Sequence, residues 1–324
     1  MIWIDVVNQP HVRFWRRFLH FYKGDVLITV RKKGNLVEMA KLFLGDVLTV
    51  GRWGENSLDK LLAFAERVKE LTGLVQGKVN LALSKASPEL ARVAFGLGIK
   101  SIIANDNDLP PYTVSKLTFP LASLILIPEC YRGPTFKVKE RRFSGTFEVS
   151  HVLDYLERGP IKEFEMEEYI VARPPPKAFY LDMPTDWFIK LVRKISKELR
   201  LKVVYLPREG ERPKDFIIPD SVIDGIDLIN KSALVLGAGG TMTREAALLG
   251  KPTISLFPLQ GPCVTNVLLK EGLLIRRDPS LSVERVKNLM KEELEGKARD
   301  FLRRSEDPAK VLAELASVKT DDQT

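Results

Sequence analysis

The chain has 324 residues, of which 45% are hydrophobic and 28% are charged, and its net charge is +8. This length accommodates two domain cores, and the composition is that of a folded globular protein rather than a disordered or fibrous one. The longest apolar stretch, around residues 117–128, is too short to span a bilayer, and Asp5 interrupts the first apolar run. We therefore predict no transmembrane helix and no signal peptide, and we expect a cytoplasmic protein. The two cysteines, Cys130 and Cys263, are too few for a metal cluster and are predicted to be reduced thiols.

Short apolar runs alternate with amphipathic stretches along the whole chain, which is typical of parallel sheets wrapped by helices. The predicted strands are residues 2–6, 25–30, 46–50, 79–83, 100–104, 123–127, 169–172, 202–205, 216–218, 233–236, 253–257 and 274–276. The main predicted helices are residues 57–72, 87–97, 185–199, 221–229, 241–249, 264–271 and 282–295. Residues 132–165 show weak periodicity and are predicted to be a linker, and residues 319–324 a frayed tail. The pattern predicts an α/β protein with two doubly wound domains, residues 1–165 and 166–324.

The most informative motif is a glycine-rich turn between a predicted strand and a predicted helix, with the sequence LVLGAGGTMTREAALLGKP at residues 234–252. Gly237, Gly239 and Gly240 let a ligand approach the backbone closely, and the free N–H groups of a new helix at Thr241 attract phosphate. Glu245, about one turn into that helix, lies within reach of the sugar hydroxyls of a nucleotide. The alternative is a helix capped by Thr241 whose glycines serve only close packing.

This motif resembles the nucleotide-sugar-binding half of GT-B glycosyltransferases. It is similar to the enzyme that adds N-acetylglucosamine to lipid I and to the non-hydrolysing UDP-N-acetylglucosamine 2-epimerases, in which a glutamate precedes a glycine by five residues, as Glu245 precedes Gly250. A closer match is a largely archaeal GT-B-like family of unknown function, which shares IWIDVVNQPHV, ASPELARVAFGLGIKSI, YIVARPPPKAFY, YLPR and GAGGTMTREAALLGKP. The resemblance implies two Rossmann-like parallel-sheet domains facing a cleft, with Glu245 on the ribose.

Other polar residues follow predicted strands in the second half of the chain, where ligands bind in open α/β sheets. Arg173 and Arg208 each follow a strand, and a guanidinium there suits a diphosphate, although either residue could be a surface ion-pair partner instead. The loop PLQGPCVTN at residues 258–266 contains Gln260 and Asn266. The resemblance implies that this loop binds the hydroxyls of the donor sugar.

The first strand of the chain is followed by Asn8, Gln9 and His11. A histidine at the start of a helix could accept a proton from an acceptor hydroxyl, because its ordinary pKa near 6.5 suits base catalysis at neutral pH, or it could simply pack or cap. The resemblance favours a catalytic His11, since the Pro-His pair recurs in the family, and it places Gln9 and His11 in the cleft.

Two further loops of the first half are predicted to lie on the acceptor side. In the loop SKASPE, Ser87 is a candidate acceptor contact, although capping of the next helix is a sufficient explanation for it. The related family has Ser-His-Gly-Ser-Pro here, so Lys85 and Ala86 depart from its pattern. After the fifth strand, Asn105 and Asp106 offer oxygen atoms for an acceptor contact or a turn. A metal is a weaker alternative, because GT-B enzymes neutralise the leaving diphosphate with helix dipoles and basic side chains.

The predicted helix at residues 11–22 carries Arg13, Arg16, Arg17 and His20 along one stripe, with aromatic residues on the remaining surface. Basic side chains beside aromatics suit an anionic membrane surface, and this predicts a peripheral location on the cytoplasmic face. The alternative is that the aromatics pack on the sheet while the arginines are solvated. No nucleic-acid motif accompanies the charge, and we expect no nucleic-acid partner.

The predicted function is metal-independent glycosyl transfer from a nucleotide sugar, most consistent with a UDP-sugar, and no cofactor or metal is expected. A sugar-nucleotide epimerase of the UDP-N-acetylglucosamine 2-epimerase type is the nearest alternative. A binding protein that retained the fold and lost the chemistry is a third, consistent with Lys85. Glutamine is rare beside abundant lysine, arginine and glutamate, which is typical of a thermophile protein.

Overall fold

The structure is a computed structural model that describes residues 1–161, 163–175, 185–208, 212–220, 222–257, 261–276 and 282–321. The strands are β1 Ile2–Val6, β2 Val26–Lys32, β3 Leu48–Arg52, β4 Leu81–Lys85, β5 Lys100–Ala104, β6 Leu124–Pro128, β7 Glu140–Phe143, β8 Ile170–Arg173, β9 Val203–Tyr205, β10 Leu234–Gly237, β11 Thr253–Ser255 and β12 Ile275–Arg276. The helices are α1 Pro10–Phe21, α2 Leu36–Leu44, α3 Ser57–Val75, α4 Pro88–Gly96, α5 Thr113–Thr118, α6 Glu148–Arg158, α7 Thr185–Leu199, α8 Gly225–Asn230, α9 Gly240–Leu248, α10 Cys263–Lys270, α11 Val283–Leu289, α12 Leu294–Arg304 and α13 Pro308–Asp321.

The chain divides into two compact units, the first comprising Met1–Ser150 with Glu306–Thr324 and the second His151–Ser305. This division differs from the predicted boundary near Glu165 and from the assignment of the whole C-terminal part to the second domain. Helix α13 belongs to the first unit because Leu312 and Ala316 are buried in the core that also holds Phe14. It is helical through Asp321, which corrects the prediction of a frayed tail from residue 319.

The first unit is built on a seven-stranded parallel sheet in the order β3-β2-β1-β4-β5-β6-β7. Its central strand β1 is buried along its whole length. Alternate side chains of a strand point to opposite faces. Ile2, Ile4 and Val6 accordingly join the core that contains α1 and α13, whereas Trp3 joins the core that contains Leu71 of α3. The continuous apolar run at the start of the chain is thus the signature of a strand covered on both faces.

The second unit is built on a five-stranded parallel sheet in the order β12-β11-β10-β8-β9. Its two faces are covered by separate apolar cores, one containing Phe188 and Val192 of α7 and the other containing Met242 and Ala246 of α9. The prediction of two doubly wound parallel-sheet α/β domains is therefore confirmed.

The predicted linker at residues 132–165 contains two regular elements. Strand β7 lies at the end of the sheet, where Glu140 is exposed and Arg141 and Arg142 are only partly buried. A strand with so few buried positions carries little apolar periodicity. Helix α6 follows it.

Several other expectations about the chain are corrected. The predicted strand at 216–218 is reduced to a single bridge between Val204 and Ile217. The predicted helix at 282–295 ends at Leu289, and a new helix begins where the Glu293 side chain accepts a hydrogen bond from Gly296 N at 2.9 Å. Neither Cys130 nor Cys263 is a free thiol in the structure, so the prediction of reduced thiols is wrong.

The basic stripe of α1 does not form a solvated face. Arg13 and Arg17 are 6% and 4% exposed. The guanidinium of Arg13 lies over the Phe43 ring, and Arg17 Nε donates to Asp307 Oδ2 at 2.8 Å. Two of the three arginines predicted to contact an anionic membrane therefore make contacts within the first unit instead. Within the described ranges, no helix has both the length and the apolar character needed to cross a bilayer.

Candidate functional site

The carboxyl ends of four strands of the second sheet bring Arg173, Gly237, Ser255 and Arg276 into one row. Gly237 is in register with Arg173 on one side and with Ser255 on the other, and Ser255 is in register with Arg276. Ligands of open parallel sheets bind beyond this edge of the sheet. The glycine-rich turn and the two arginines that bound the row therefore lie where a ligand is expected.

Helix α9 begins at Gly240, directly after the turn. Its N-cap residue, Gly239, has no side chain to satisfy the first N–H groups, and no side-chain cap is present. The turn is held to the neighbouring strand because Ala238 N donates to Arg173 O at 3.1 Å. The alternative of a Thr241 cap is wrong, because Thr241 lies inside the helix. An uncapped helix start with a positive dipole end is a favourable position for an anion.

The two glycines of the turn make room for guanidinium groups. A Cβ atom at Gly239 would lie 2.7 Å from Arg208 Nη2, and one at Gly240 would lie 2.5 Å from Arg244 Nη1. Arg208 is held in place because its Nε donates to Pro174 O at 3.0 Å, and Arg244 Nη1 donates to Thr265 Oγ1 at 3.2 Å. A side chain at either position would therefore displace an arginine end from the turn.

Arg173 and Arg208 form a positively charged pair beside the helix start. Burial, and to a smaller extent the nearby Arg173, lower the pKa of Arg208 to about 10. Arg208 is nevertheless exposed over more than a third of its surface. The burial that lowers its pKa therefore comes from protein atoms that pack around only part of the side chain. Burial also lowers the pKa of Arg173, and Glu245 opposes that effect. Arg208 stays charged at neutral pH, since its pKa of about 10 lies well above 7.

Neither guanidinium of this pair has a carboxylate within ion-pair distance in the part of the chain that the structure describes, and Arg173 Nε is buried there without a hydrogen-bond partner. Buried polar groups are normally hydrogen-bonded, and an exception calls for an explanation. Two neighbouring like charges with no carboxylate in ion-pair distance, next to an uncapped helix start, form a setting that favours an anion.

Glu245 projects from the second turn of α9 and is paired with a histidine. The distance from His151 Nδ1 to Glu245 Oε1 is 2.8 Å, and the side chain of His151 is 1% exposed. His151 is 94 positions away in the chain, and no local motif marks it. Sequence reasoning missed this residue, because only the packing of α6 in the second unit brings it to Glu245.

The two predicted sugar-binding positions in the loop after β11 have different outcomes. Asn266 has both ends of its amide engaged: Nδ2 donates to Gly261 O at 3.2 Å, and Oδ1 accepts from Arg276 Nη2 at 3.1 Å. Asn266 thus connects the loop to the basic residue at the end of β12, which sequence reasoning also missed. Gln260 lies outside the described residues.

In the first unit, the residues after β1 lie at the carboxyl edge of the sheet as predicted from the sequence. His11 is half-buried in the first turn of α1, and its N–H donates to Asn8 O at 3.1 Å. Asn8 Oδ1 accepts from Lys33 Nζ at 3.0 Å. Gln9 is half-buried and is the residue from which α1 starts. A catalytic role of His11 stays a prediction.

Ser87 has a structural role. It is fully buried, its Oγ accepts from Leu90 N at 3.2 Å as the cap of α4, and it donates to Asp5 Oδ2 at 2.6 Å. Asp5 also binds Arg67, with an Oδ1 to Nη2 distance of 2.5 Å, and both side chains are 0% exposed. The alternative that Ser87 caps the next helix is therefore confirmed, and an acceptor contact of Ser87 stays a prediction.

Ala86 and Lys85, which depart from the family pattern, have defined local environments. Ala86 has a φ of 57°, a conformation that favours glycine, which the related family has at this position. The Nζ of Lys85 lies over the rings of Phe147 and Phe14, at 3.9 and 5.1 Å from the ring centres. The side chain that replaces the histidine is thus held by cation–π contacts.

The oxygens after β5 are used to shape a turn. Asn105 Oδ1 accepts from Asn107 N at 3.1 Å, its Nδ2 donates to Ser115 Oγ at 3.0 Å, and Asn107 Oδ1 accepts from Leu109 N at 3.3 Å. Asp106 is half-buried beside them. The alternative of turn formation is thereby confirmed for Asn105, and no acceptor contact is assigned to it. Among the residues described, no three histidine, cysteine or acidic side chains are grouped as metal ligands.

One protein family matches almost the whole chain. The family described as "Protein of unknown function (DUF354)" matches residues 1–319. The chain belongs to this family. A relative from Methanocaldococcus jannaschii, "Uncharacterized protein MJ0665", is 33% identical over 296 residues, which cover 85% of this chain and 86% of the relative.

Solved structures similar to this DUF354 member show the fold. The UDP-GlcNAc 2-epimerase of Methanocaldococcus jannaschii, solved with UDP-GlcNAc and UDP, superimposes with a TM-score of 0.69 at 15% identity, covering 98% of this chain and 99% of the epimerase. The glycotransferase of kitacinnamycin gives a TM-score of 0.60 at 11% identity and 97% coverage of both chains. The predicted GT-B fold is therefore confirmed, and the similarity to both enzyme types leaves the reaction open.

Proposed function

We propose that the second unit binds the diphosphate of a nucleotide sugar, most consistent with a UDP-sugar, at the start of α9. In this proposal Arg173, Arg208 and the N–H groups of Gly239, Gly240 and Thr241 hold the phosphates. Gly237 sets the turn, and Glu245 accepts hydrogen bonds from the ribose. Asn266 acts on the donor sugar indirectly, by positioning the loop, and Gln260 is a further candidate in that loop.

The observation that carries the proposal is that neither Arg173 nor Arg208 has a carboxylate within ion-pair distance among the described residues. A guanidinium binds phosphate through two parallel N–H donors, and charge-assisted hydrogen bonds of this kind are about twice as strong as neutral ones. A diphosphate would place negative charge directly against both guanidiniums and would cap α9. The structurally similar archaeal epimerase was solved with UDP-GlcNAc and UDP, which supports this choice of anion.

The reaction that we infer is metal-independent glycosyl transfer. Departure of UDP from the sugar develops negative charge on the diphosphate, and Arg173 and Arg208 would stabilise that charge without a cation. His11 would accept the proton of the acceptor hydroxyl. Epimerisation of a nucleotide sugar is the second candidate, because an epimerase superimposes with a higher TM-score than the transferase does.

Thermal unfolding of the full-length protein with and without nucleotides tests the binding proposal. A ligand that binds only the folded state stabilises it by about 2.7 kcal/mol at a concentration one hundred times its Kd, so UDP or a UDP-sugar should raise the Tm. Arg173→Gln should reduce the shift, whereas Arg193→Gln, which alters an exposed pair with Asp215, should leave it unchanged. The proposal fails if UDP, GDP, ADP and dTDP sugars at millimolar concentration all leave the Tm of the unmodified protein unaltered.

The two reactions give different products from one incubation. Proton NMR of UDP-GlcNAc with the protein alone would detect a second UDP-sugar for an epimerase, and free UDP with free sugar for a transferase that hydrolyses its donor slowly. Binding of the nucleotide with neither product would instead favour the binding protein that has lost its chemistry.

A further inference from the structure

We propose that His151 is a positioning residue for Glu245 and that it makes the nucleotide site selective for ribose over 2′-deoxyribose. The inference rests on the proposed function, because it concerns the sugar of the same nucleotide. His151 lies on α6, outside the glycine-rich motif.

The contact between the two side chains has one orientation. A carboxylate only accepts hydrogen bonds, so His151 Nδ1 carries the proton and donates it to Glu245 Oε1 across 2.8 Å. His151 Nε2 is buried with no hydrogen-bond partner among the described residues. The bond to Glu245 is therefore the polar contact that orients this ring.

Helix α6 supplies the rigidity that the contact needs. His151 is fully buried in its first half, and one turn further Tyr155 donates to Asp227 Oδ1 at 2.9 Å. Asp227 in turn accepts from Phe164 N at 2.6 Å. The helix that carries His151 is thus fixed to α8 by a second, separate hydrogen bond, and the imidazole is presented to Glu245 from a packed element.

The contact decides which part of Glu245 is available to a ligand. Oε1 is occupied by His151, and the Glu245 side chain is 12% exposed, so that Oε2 is the oxygen left for an incoming hydroxyl. Glu245 follows the first helical residue, Gly240, by five positions, or about 7.5 Å along the axis at 1.5 Å per residue. A diphosphate bound at the helix start leaves its ribose at about this distance.

A fixed single acceptor gives selectivity, because a site built to hydrogen-bond a hydroxyl discriminates strongly against an analogue that lacks it. A carboxylate free to rotate would bind water or the remaining 3′-hydroxyl when the 2′-hydroxyl is missing. Restraint by His151 removes that freedom, so loss of the restraint should lower the preference for ribose more than it lowers overall binding.

The test is the ratio of Kd values for UDP and 2′-deoxy-UDP, measured by calorimetry on the full-length protein and its variants. We expect the unmodified protein to prefer UDP, and His151→Phe, which keeps an aromatic ring but removes the donor, to lower that preference about tenfold. His151→Asn places an amide N–H close to the Nδ1 position and should restore it. His151→Gln extends its amide toward the Nε2 position and should not.

Two controls separate positioning from general stability. Tyr155→Phe removes the hydrogen bond from α6 to Asp227 without altering Glu245, and it should lower the Tm while leaving the ratio unchanged. Because His151 acts through Glu245, adding His151→Phe to Glu245→Ala should change the ratio no further.

The outcomes distinguish the two proposals. Absence of UDP binding by the unmodified protein would overturn the nucleotide site and this inference with it. Normal UDP binding with no preference for ribose, or with a ratio unaffected by His151→Phe, would overturn the role of His151 alone. If His151→Phe does not fold, equal ratios for the Asn and Gln variants would equally contradict the inference.

Discussion

The Arg208 guanidinium packs against the backbone of Gly239, so closely that a methyl group on that residue would meet Nη2 at 2.7 Å. The position of the turn and the position of the Arg208 guanidinium therefore depend on each other. Gly239 has a φ of −117°, which any residue adopts, so the arginine rather than the backbone conformation favours glycine here.

Gly239→Ala should displace the Arg208 guanidinium and weaken nucleotide binding, by about tenfold if one charge-assisted hydrogen bond is lost. The fold should survive, since the obstructing atom is the end of a side chain that can move. Gly225→Ala is the matched control, because a Cβ atom there at the start of α8 meets nothing within 4 Å. Calorimetric titration with UDP measures both variants, and equal affinities would contradict the assignment of Arg208 to the phosphates.

The buried pair of Asp5 and Arg67 should dominate the stability of the first unit. Arg67→Met leaves a carboxylate uncompensated in a site with 0% exposure, and breaking a buried pair in this way typically costs about 3–5 kcal/mol. Urea unfolding followed by tryptophan fluorescence measures the loss, since Trp3 and Trp15 are buried in this unit. Glu140→Gln, in a partly exposed pair with Arg142, should change the free energy of unfolding by less than about 1 kcal/mol.

The same pair predicts a dependence of stability on pH. Burial alone would raise the pKa of Asp5, but Arg67, Ser87 and Thr29 together hold it below its ordinary value of 3.8. On acidification the unfolded chain binds this proton first, so the stabilising contribution is complete above pH 3.8 and is lost as the pH falls below it. Asp5→Asn should flatten the fall in stability below pH 3.8, and an unchanged slope there would assign the acid sensitivity to other groups.

Arg17 is expected to act in folding rather than at a membrane. Arg17→Gln removes the donor to Asp307, which also binds Ser150 Oγ at 2.5 Å, and should lower the Tm by loosening α13. Co-sedimentation with vesicles of anionic lipid should not depend on this substitution. A selective loss of vesicle binding with an unchanged Tm would restore the membrane interpretation of α1.

His11→Ala should leave nucleotide affinity nearly unchanged while removing turnover, because a base that acts on the acceptor contributes in the transition state and not in donor binding. The acceptor is undefined, so the release of UDP by slow donor hydrolysis is the practical assay. Hydrolysis at the unmodified rate would return His11 to a packing role at the start of α1.

The sequence by itself determined the parallel sheets, the glycine-rich turn with its helix, and the arginines at the strand ends. These features depend on local periodicity and on residues within a few positions of one another, which a linear pattern records. Even the doubly covered strand β1 was predictable, since an uninterrupted apolar run at that length indicates burial on both faces.

Only the tertiary structure decided which polar side chains are engaged in contacts within the protein. Arg17 meets Asp307 across 290 positions, Ser87 meets Asp5 across 82, and His151 meets Glu245 across 94. A basic stripe or a serine beside a proline has the same local pattern whether it faces solvent or a buried carboxylate. The packing of distant elements places a carboxylate against Arg17 and against Ser87, whereas Arg173 has no carboxylate within ion-pair distance among the described residues.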